Sequence, residues 1–514
     1  MAKFYLTTAI DYANGEPHVG HAYEKIGADV IARYHRLRGD DVYFLTGLDE
    51  HGQKVAQAAA ESGVSAQQFV DDMASRFEAM WKRLLISYDR FMRTTDADHK
   101  TGVKALILGI HERNPDDFYE KAYEGWYCVG CELFKRDDEI VDGKCVLHPT
   151  RELQWTTERN WFFRLTKYQD FLKKLFSEHP EFLSPETRRN EILSLLDQGL
   201  EDISITRARL SWAIPFPIPT STGEEQGTWV WFDALPNYLT ATGFPNDGYT
   251  KLWPANLHVI GKDITRLHTV IWPAMLEAAG VELPVRVWAH GFVLLGGERF
   301  SKSSGVRLDM VEAIERYGAD ALRYFLLREV PFDADGTFSY ERYDERYNSD
   351  LANSLGNLAS RAISMVEKYF ESVVPSGQQV ALDRADAADL AEYHTAMDGT
   401  NGYLLHEGLK RVFATATRGN EFVQSSQPWA LAKNPEKRDE LATVLAAIVR
   451  QLARHAIHLA PFMPEKAQEL WQQIGGTGSV NDQRFANVAS LDVTGWRVAK
   501  GASLFPKPQT PAAS

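Results

Sequence analysis

Residues 3–52 read KFYLTTAIDYANGEPHVGHAYEKIGADVIARYHRLRGDDVYFLTGLDEHG. The run KFYLTTAI is short and rich in β-formers. HAYEKIGADVIARYHRLRG then sets Tyr23, Ile26, Val30 and Tyr34 at helical spacing, and Gly39 stops the pattern. DDVYFLTGLDEHG is a second run of buried-strand type that ends in a polar loop. Strand, helix and strand in that order predict the opening of a parallel α/β sheet. At the first turn of the predicted helix, after an Asn-Gly turn and Pro17, stand His18 and His21. Positions i and i+3 share a helix face, beside unpaired backbone N–H groups and the positive end of the macrodipole. Two imidazoles there suit a polyphosphate. A metal pair, or two surface histidines capping a turn, are the alternatives that spacing leaves open.

The totals set bounds on this reading. With 514 residues, 44% hydrophobic and 25% charged, the chain has material for a large core and two to four domains at about 100–200 residues each. The net charge of −14 argues against general coating of nucleic acid and leaves room for a local basic track for one RNA. The 3 cysteines all fall between Cys128 and Cys145, so a disulfide framework is not expected and a reducing, cytoplasmic setting is. No apolar run approaches the roughly 20 residues of a membrane span, and MAKFYLTTAI is too short for a signal peptide.

From Asp116 to Gly227 the character changes to a cysteine cluster, aromatic strands (WYCVGCELFKR, NWFFRL) and polar helices. GTWVWFDALPNYL and LWPANLHVIGKDITRLHTVIWPAML then return to strand–loop–helix patterns. After Tyr340 strand patterns disappear, and Leu441, Val444, Leu445, Ile448, Leu452, Ala456 and Leu459 form a sustained apolar stripe. The expected architecture is a Rossmann-like parallel sheet in two halves (1–115 and 228–290) around a connective insertion (116–227). A region that holds the Lys-Ser loop (291–345), an α-helical bundle (346–500) and a tail (501–514, ending FPKPQTPAAS) follow.

Two further motifs carry chemistry. GGERFSKSSG holds Lys302 among serines in a Gly-bounded loop; Phe300-Ser301 fill the place where a Walker loop needs glycine, so that reading fails. A Lys-bearing loop that grips phosphates and a solvated Ser-rich loop both remain. Cys128-x-x-Cys131, then Cys145-x-x-His148, is the spacing of two zinc knuckles with four protein ligands and no open position, hence a structural metal. A redox CxxC or a nucleic-acid-binding zinc ribbon are the other readings.

HVGH at 18–21 and RFSKS at 299–303 resemble the two signatures of the class I aminoacyl-tRNA synthetases, in the right order across an insertion. AIDYANGEPHVGH, LDEHG, EGWYCVGCE, WVWFDALPNYL, VIGKDITRLHTVIWPAML, NLASR and QPW look like the methionyl-tRNA synthetases in particular. The resemblance runs from residue 3 to about residue 475.

It implies ATP with Mg2+, L-methionine and tRNA(Met), initiator and elongator, as substrates of a cytoplasmic monomer. His18, His21, Glu24, Gly261, Asp263, Arg299, Ser301, Lys302 and Ser303 would hold ATP, with His18, His21 and Lys302 acting in the reaction. Val19 replaces the family's Ile or Leu, and Arg299 its first lysine. Ala9, Ile10, Tyr12, Trp231, Ala234, Tyr238, Ile264 and His268 would wrap the methionine side chain, and Asp49 take its ammonium. An aromatic, polarizable lining suits a thioether, although core packing alone would also account for Trp231 and Tyr238. Leu235 stands where some members carry proline. Asn357, Arg361, Pro428 and Trp429 would read the anticodon, since Asn, Arg and an exposed Trp bond and stack unpaired bases; a buried Trp429 behind a helix-starting Pro428 is the alternative. Synthetases for leucine, isoleucine or valine carry a longer editing insertion, and a cysteine enzyme would place zinc in the amino-acid pocket. An inactive RNA-binding relative is the rival of another class.

Overall fold

Lys3–Thr8 pairs in parallel with Asp41–Asp49 on one side and with Leu257–Gly261 on the other. These pairings belong to the computed structural model of the chain, which describes residues 2–129, 133–135, 139–146, 148–208, 210–295, 298–299 and 308–507. Val287–His290 continues the sheet beyond Leu257–Gly261, and Asp11–Tyr12 and Arg90–Arg93 both pair in parallel with Asp41–Asp49. Strands buried on both faces read as continuous apolar runs, and Phe4 through Thr8 are all buried. A Cβ at Gly47 would stand 2.0 Å from the Met92 carbonyl oxygen, so only glycine lets these neighbouring strands close.

The chain leaves Lys3–Thr8 through the helix Val19–Arg38 to one side and reaches Leu257–Gly261, much later, on the other. A reversal of that kind opens a crevice at the carboxyl ends of the strands. The helix is closed by Gly39, whose φ of 99° lets its N–H reach the His35 and Arg36 carbonyls. Tyr23, Ile26, Val30 and Tyr34 are buried as the spacing predicts, and so are Lys25 and Asp29 on the same helix, which it does not.

Residues 116–227 hold a long antiparallel hairpin, Phe118–Cys128 with Gln154–Phe163, in a second sheet of four strands. They also return Leu183–Ser184 to the edge of the parallel sheet beside Val287–His290. Beyond Gly336–Phe338 the chain is helical, with Asn357–Phe370, Ala381–Met397, Leu405–Ser426, Arg438–Leu459 and Pro464–Gln473 packed together. One correction falls at the end of this region. Leu504 and Phe505, read from sequence as part of a loose tail, are buried, and Tyr347 donates to the Pro506 carbonyl at 2.8 Å. Phe505 meets the Tyr347 ring edge-on at 6.2 Å, and apolar side chains with such a partner in reach bury themselves whatever the polarity around them.

The seam between sheet and bundle carries a buried ion pair. Arg323 donates to Asp29 at 2.6 Å, to the Leu84 carbonyl, and to the Pro461 and Phe462 carbonyls at 2.9 and 2.8 Å. Burial would raise the Asp29 carboxyl, but Arg33 and Arg323 outweigh it and hold the group at about 2.

Candidate active site

His18 is the N-cap of Val19–Arg38. Its Nδ1 accepts from the Gly20 and His21 amides at 3.1 and 3.4 Å, while its own N–H donates to His21 Nδ1 at 3.4 Å. Imidazoles thus do what Ser and Glu do in a capping box. The two rings stack at 3.6 Å. With both Nδ1 atoms accepting, Nε2 carries the proton on each ring, a tautomer assigned from this network. The capping alternative and the phosphate alternative are therefore compatible: one ring nitrogen caps and the other can donate.

Beneath the pair lies a buried charge network of which sequence reading picked out only Glu24. Lys25 Nζ donates to Asp11 at 2.6 Å, to Glu24 at 2.9 Å and to the Ala9 carbonyl at 3.0 Å. Glu24 also meets His290 Nε2 at 3.1 Å, and His21 Nε2 stands 4.0 Å from Asp11. Burial pushes the Asp11 carboxyl up to about 6 despite Lys25. For Glu24 burial is outweighed by Lys25 and His290, which hold it at about 2. His290 ends a parallel strand, as Gly261 does, and that strand-end position was the available signal for it.

The amino-acid residues gather at the same edge. Tyr12 and Asp49 are paired across neighbouring strands, and the Ala13 amide donates to the Asp49 carbonyl at 3.0 Å. Asp49 is buried. Trp231 stands edge-on to Tyr12 and to His268, each at 6.4 Å between ring centres. Tyr238 donates to His268 Nε2 at 2.7 Å, and His268 Nδ1–H donates to the Ile264 carbonyl at 3.0 Å. Burial lowers His268 to about 4, so it is neutral at pH 7. His268 lies in a π-helical turn, Leu267–Ile271, a local bulge of the sort found at functional sites. Ala9, Ala234 and Tyr238 are buried, Ile10 and Ile264 partly so, and Asp263 is exposed next to Gly261.

Ser301, Lys302 and Ser303 lie outside the described residues, and Arg299 is described only as backbone, in a strand paired with Val293–Leu295. Cys131 is outside them too. Ligand atoms of Cys128, Cys145 and His148 lie within 4.8 Å of one another, with Cys128 Sγ 3.9 Å from His148 Nδ1. Donors about 2.0–2.3 Å from a tetrahedral ion stand about 3.3–3.8 Å apart, so this donor set fits zinc.

In the helical region Arg361 sits over the Trp429 ring at 5.8 Å. Trp429 is 36% exposed, Asn357 is exposed, and Pro428 is buried as the first residue of the short helix Pro428–Leu431. The buried-Trp alternative does not describe this arrangement. A cleft of about 1130 Å³ opens elsewhere, between Glu78–Tyr88 and Pro464–Asn481, and none of the expected site residues lines it.

Strand-end carboxylates, a histidine-capped helix and an aromatic cluster meet where a nucleotide-binding sheet takes its ligand. Residues 4–153 and 138–363 match the family model described as tRNA synthetases class I (M), and the chain belongs to that class. Methionine–tRNA ligase of Caldanaerobacter subterraneus subsp. tengcongensis is 42% identical over 98% of this chain and 78% of its own length. That of Brucella suis is 42% identical over 96% of this chain and 95% of its own. A solved structure of Mycobacterium tuberculosis methionyl-tRNA synthetase in complex with methionyl-adenylate superposes with a TM-score of 0.92 at 41% identity, covering 99% of this chain and 100% of that one. Within class I, the chain is a member of the methionyl-tRNA synthetase family.

Proposed function

We propose that the chain is a methionine–tRNA ligase that forms methionyl-adenylate and pyrophosphate from methionine and ATP, then esterifies the 3′ end of tRNA(Met). The observation that carries the reading is the meeting of the two capping histidines, Asp49 and the Tyr12–Trp231–His268 cluster at one edge of the parallel sheet.

Asp49 pairs with the substrate ammonium, and Tyr12, Trp231, Tyr238 and His268 enclose its thioether with Ala9, Ile10, Ala234 and Ile264. A neutral His268 suits that apolar wall. Glu24, Gly261 and Asp263 hold the adenosine. The methionine carboxylate attacks the α-phosphorus, and the Nε2–H groups of His18 and His21 stabilise charge on the phosphates. Lys302, with Arg299, Ser301 and Ser303, supplies further donors there. The chain provides no nucleophile, so positioning and charge stabilisation carry the rate. Mg2+ enters with ATP. Zinc on Cys128, Cys131, Cys145 and His148 supplies a cross-link to the connective insertion and no chemistry. Asn357, Arg361, Pro428 and Trp429 present a stacking and hydrogen-bonding face to the anticodon. The division into 1–115, 116–227, 228–290, 291–345 and 346–500 serves these roles. The enzyme works as a cytoplasmic monomer on initiator and elongator tRNA.

Pyrophosphate exchange with each of the twenty amino acids tests the reading. Methionine alone supports efficient exchange, with near-isosteres following about 10–200-fold behind. Exchange with leucine or cysteine and none with methionine overturns it.

A further inference from the structure

Asp233 is fully buried two residues after Trp231, and two histidines occupy its oxygens. His51 Nδ1 lies 2.6 Å from Oδ2 and His99 Nε2 2.9 Å from Oδ1. His99 Nδ1 in turn meets Thr240 Oγ1 at 2.8 Å. Burial alone would raise the Asp233 carboxyl; His51 first, then His99, outweigh it and hold the group below the usual carboxylate range.

His51 is two residues after Asp49, and its loop is gripped from other sides as well. Glu50 accepts from Arg93 at 2.6 Å and from Thr95 at 2.5 Å. Trp212 donates from Nε1 to the Glu50 carbonyl at 2.6 Å and accepts the Gly52 amide at 3.0 Å. The turn Val230–Ala234 that carries Trp231 is only 5 residues long and has no side-chain cap, so its own backbone does little to fix its aim. Buried ionic groups add little net stability over well-packed apolar replacements of the same volume. A short charge-assisted hydrogen bond does fix direction and separation, which apolar contact does not.

We propose that Asp233 and His51 are positioning residues for the amino-acid half of the reaction: their bond clamps the loop bearing Asp49 to the turn bearing Trp231, so that the ammonium partner and the side-chain wall keep one separation. His99 holds the second oxygen and stops the carboxylate from rotating out of that bond. The inference rests on the substrate roles of Asp49 and Trp231 proposed above.

Pyrophosphate exchange on Asp233→Asn, His51→Ala, His51→Gln and Asp49→Asn tests it. Misplacement by about 1 Å costs on the order of 10²-fold. Asp49 and Trp231 hold methionine alike in the ground and transition states, so Asp233→Asn and His51→Ala should raise the KM for methionine by about 10- to 100-fold, with kcat and the KM for ATP close to those of the unaltered enzyme. Both should lower the melting temperature, since a buried pair loses a partner. His51→Gln keeps an N–H donor for Asp233 and should recover part of the loss. An unchanged methionine KM in Asp233→Asn and His51→Ala, beside a raised one in Asp49→Asn, overturns the clamp and spares the site. An unchanged methionine KM in Asp49→Asn overturns the site reading and the clamp with it. A fall in kcat and ATP affinity as large as that in methionine affinity makes Asp233 a structural residue only. If Asp233→Asn does not fold, the His51→Ala and His51→Gln pair decides alone.

Discussion

His18 performs two tasks with two nitrogens, and substitution can separate them. Asn is among the best N-caps, so His18→Asn should keep the helix start yet remove Nε2. The expected outcome is an unchanged melting temperature with adenylate formation slowed roughly 10²–10³-fold, the usual cost of one transition-state donor. His18→Ala should add a stability loss of about 0.5–2 kcal/mol from the missing cap. Stopped-flow adenylate formation and thermal melting on the two variants check this; equal rates in His18→Asn and the unaltered enzyme would contradict the phosphate role. The i, i+3 spacing made the pair legible in sequence, because a helix start has a local signature. Which ring nitrogen remains for the ligand was not legible, since it depends on where the Gly20 and His21 amides point.

Among the elements, the hairpin Phe118–Cys128 with Gln154–Phe163 and the short helix Pro428–Leu431 make separable predictions. Cys145→Ala should release zinc from freshly purified protein and loosen the hairpin end, lowering activity by displacement rather than by loss of a reacting group. Metal analysis beside limited proteolysis reads both. Trp429→Ala should leave methionine-dependent pyrophosphate exchange intact and reduce tRNA charging by the ~1–3 kcal/mol that a base stack contributes. Parallel loss of exchange, charging and melting temperature would assign Trp429 to packing instead. Periodicity showed the long helices and strands because each repeats one pattern many times. It could not show Leu183–Ser184 joining the parallel sheet, since 2 residues carry no period. Nor could it show Lys25, Asp29 and Asp233 as interior residues. A charged side chain reads as surface until its partners are known, and for Asp29 one of them, Arg33, is four positions on while the other, Arg323, is 294 positions away.

For the molecule as a whole, buried histidines set the acid limit. Burial pushes His35 and His268 down to about 4, and His455 and His458 down to about 3. Unfolded histidines titrate near 6.5, so between about pH 6.5 and 4 the unfolded chain binds protons that the native one refuses. Each such group then removes up to about 1.4 kcal/mol of stability per pH unit lost. Asp11, Asp320 and Asp386, which burial pushes up to about 6, act in the opposite sense below that value. Burial also lowers His258, His394 and His406 and raises Glu50, so seven histidines against four carboxyls, and an earlier onset for the histidines, leave a net fall. Melting temperature should therefore drop from pH 7 to pH 5; a flat or rising profile would contradict this balance.

Arg323 sets a different kind of limit. Removing one partner of a buried ion pair costs about 3–5 kcal/mol, so Arg323→Met should lower stability by that order in chemical denaturation. The guanidinium satisfies a carboxylate on the helix Val19–Arg38 and two carbonyls at the foot of the bundle at once. Asp29 is held by Arg33 and Ser87 as well, so the guanidinium is one of several ties on that carboxylate. At this point the seam is a rivet and not a wrist: one guanidinium is fastened both to the histidine-capped helix and to the segment that leads into Pro464–Gln473.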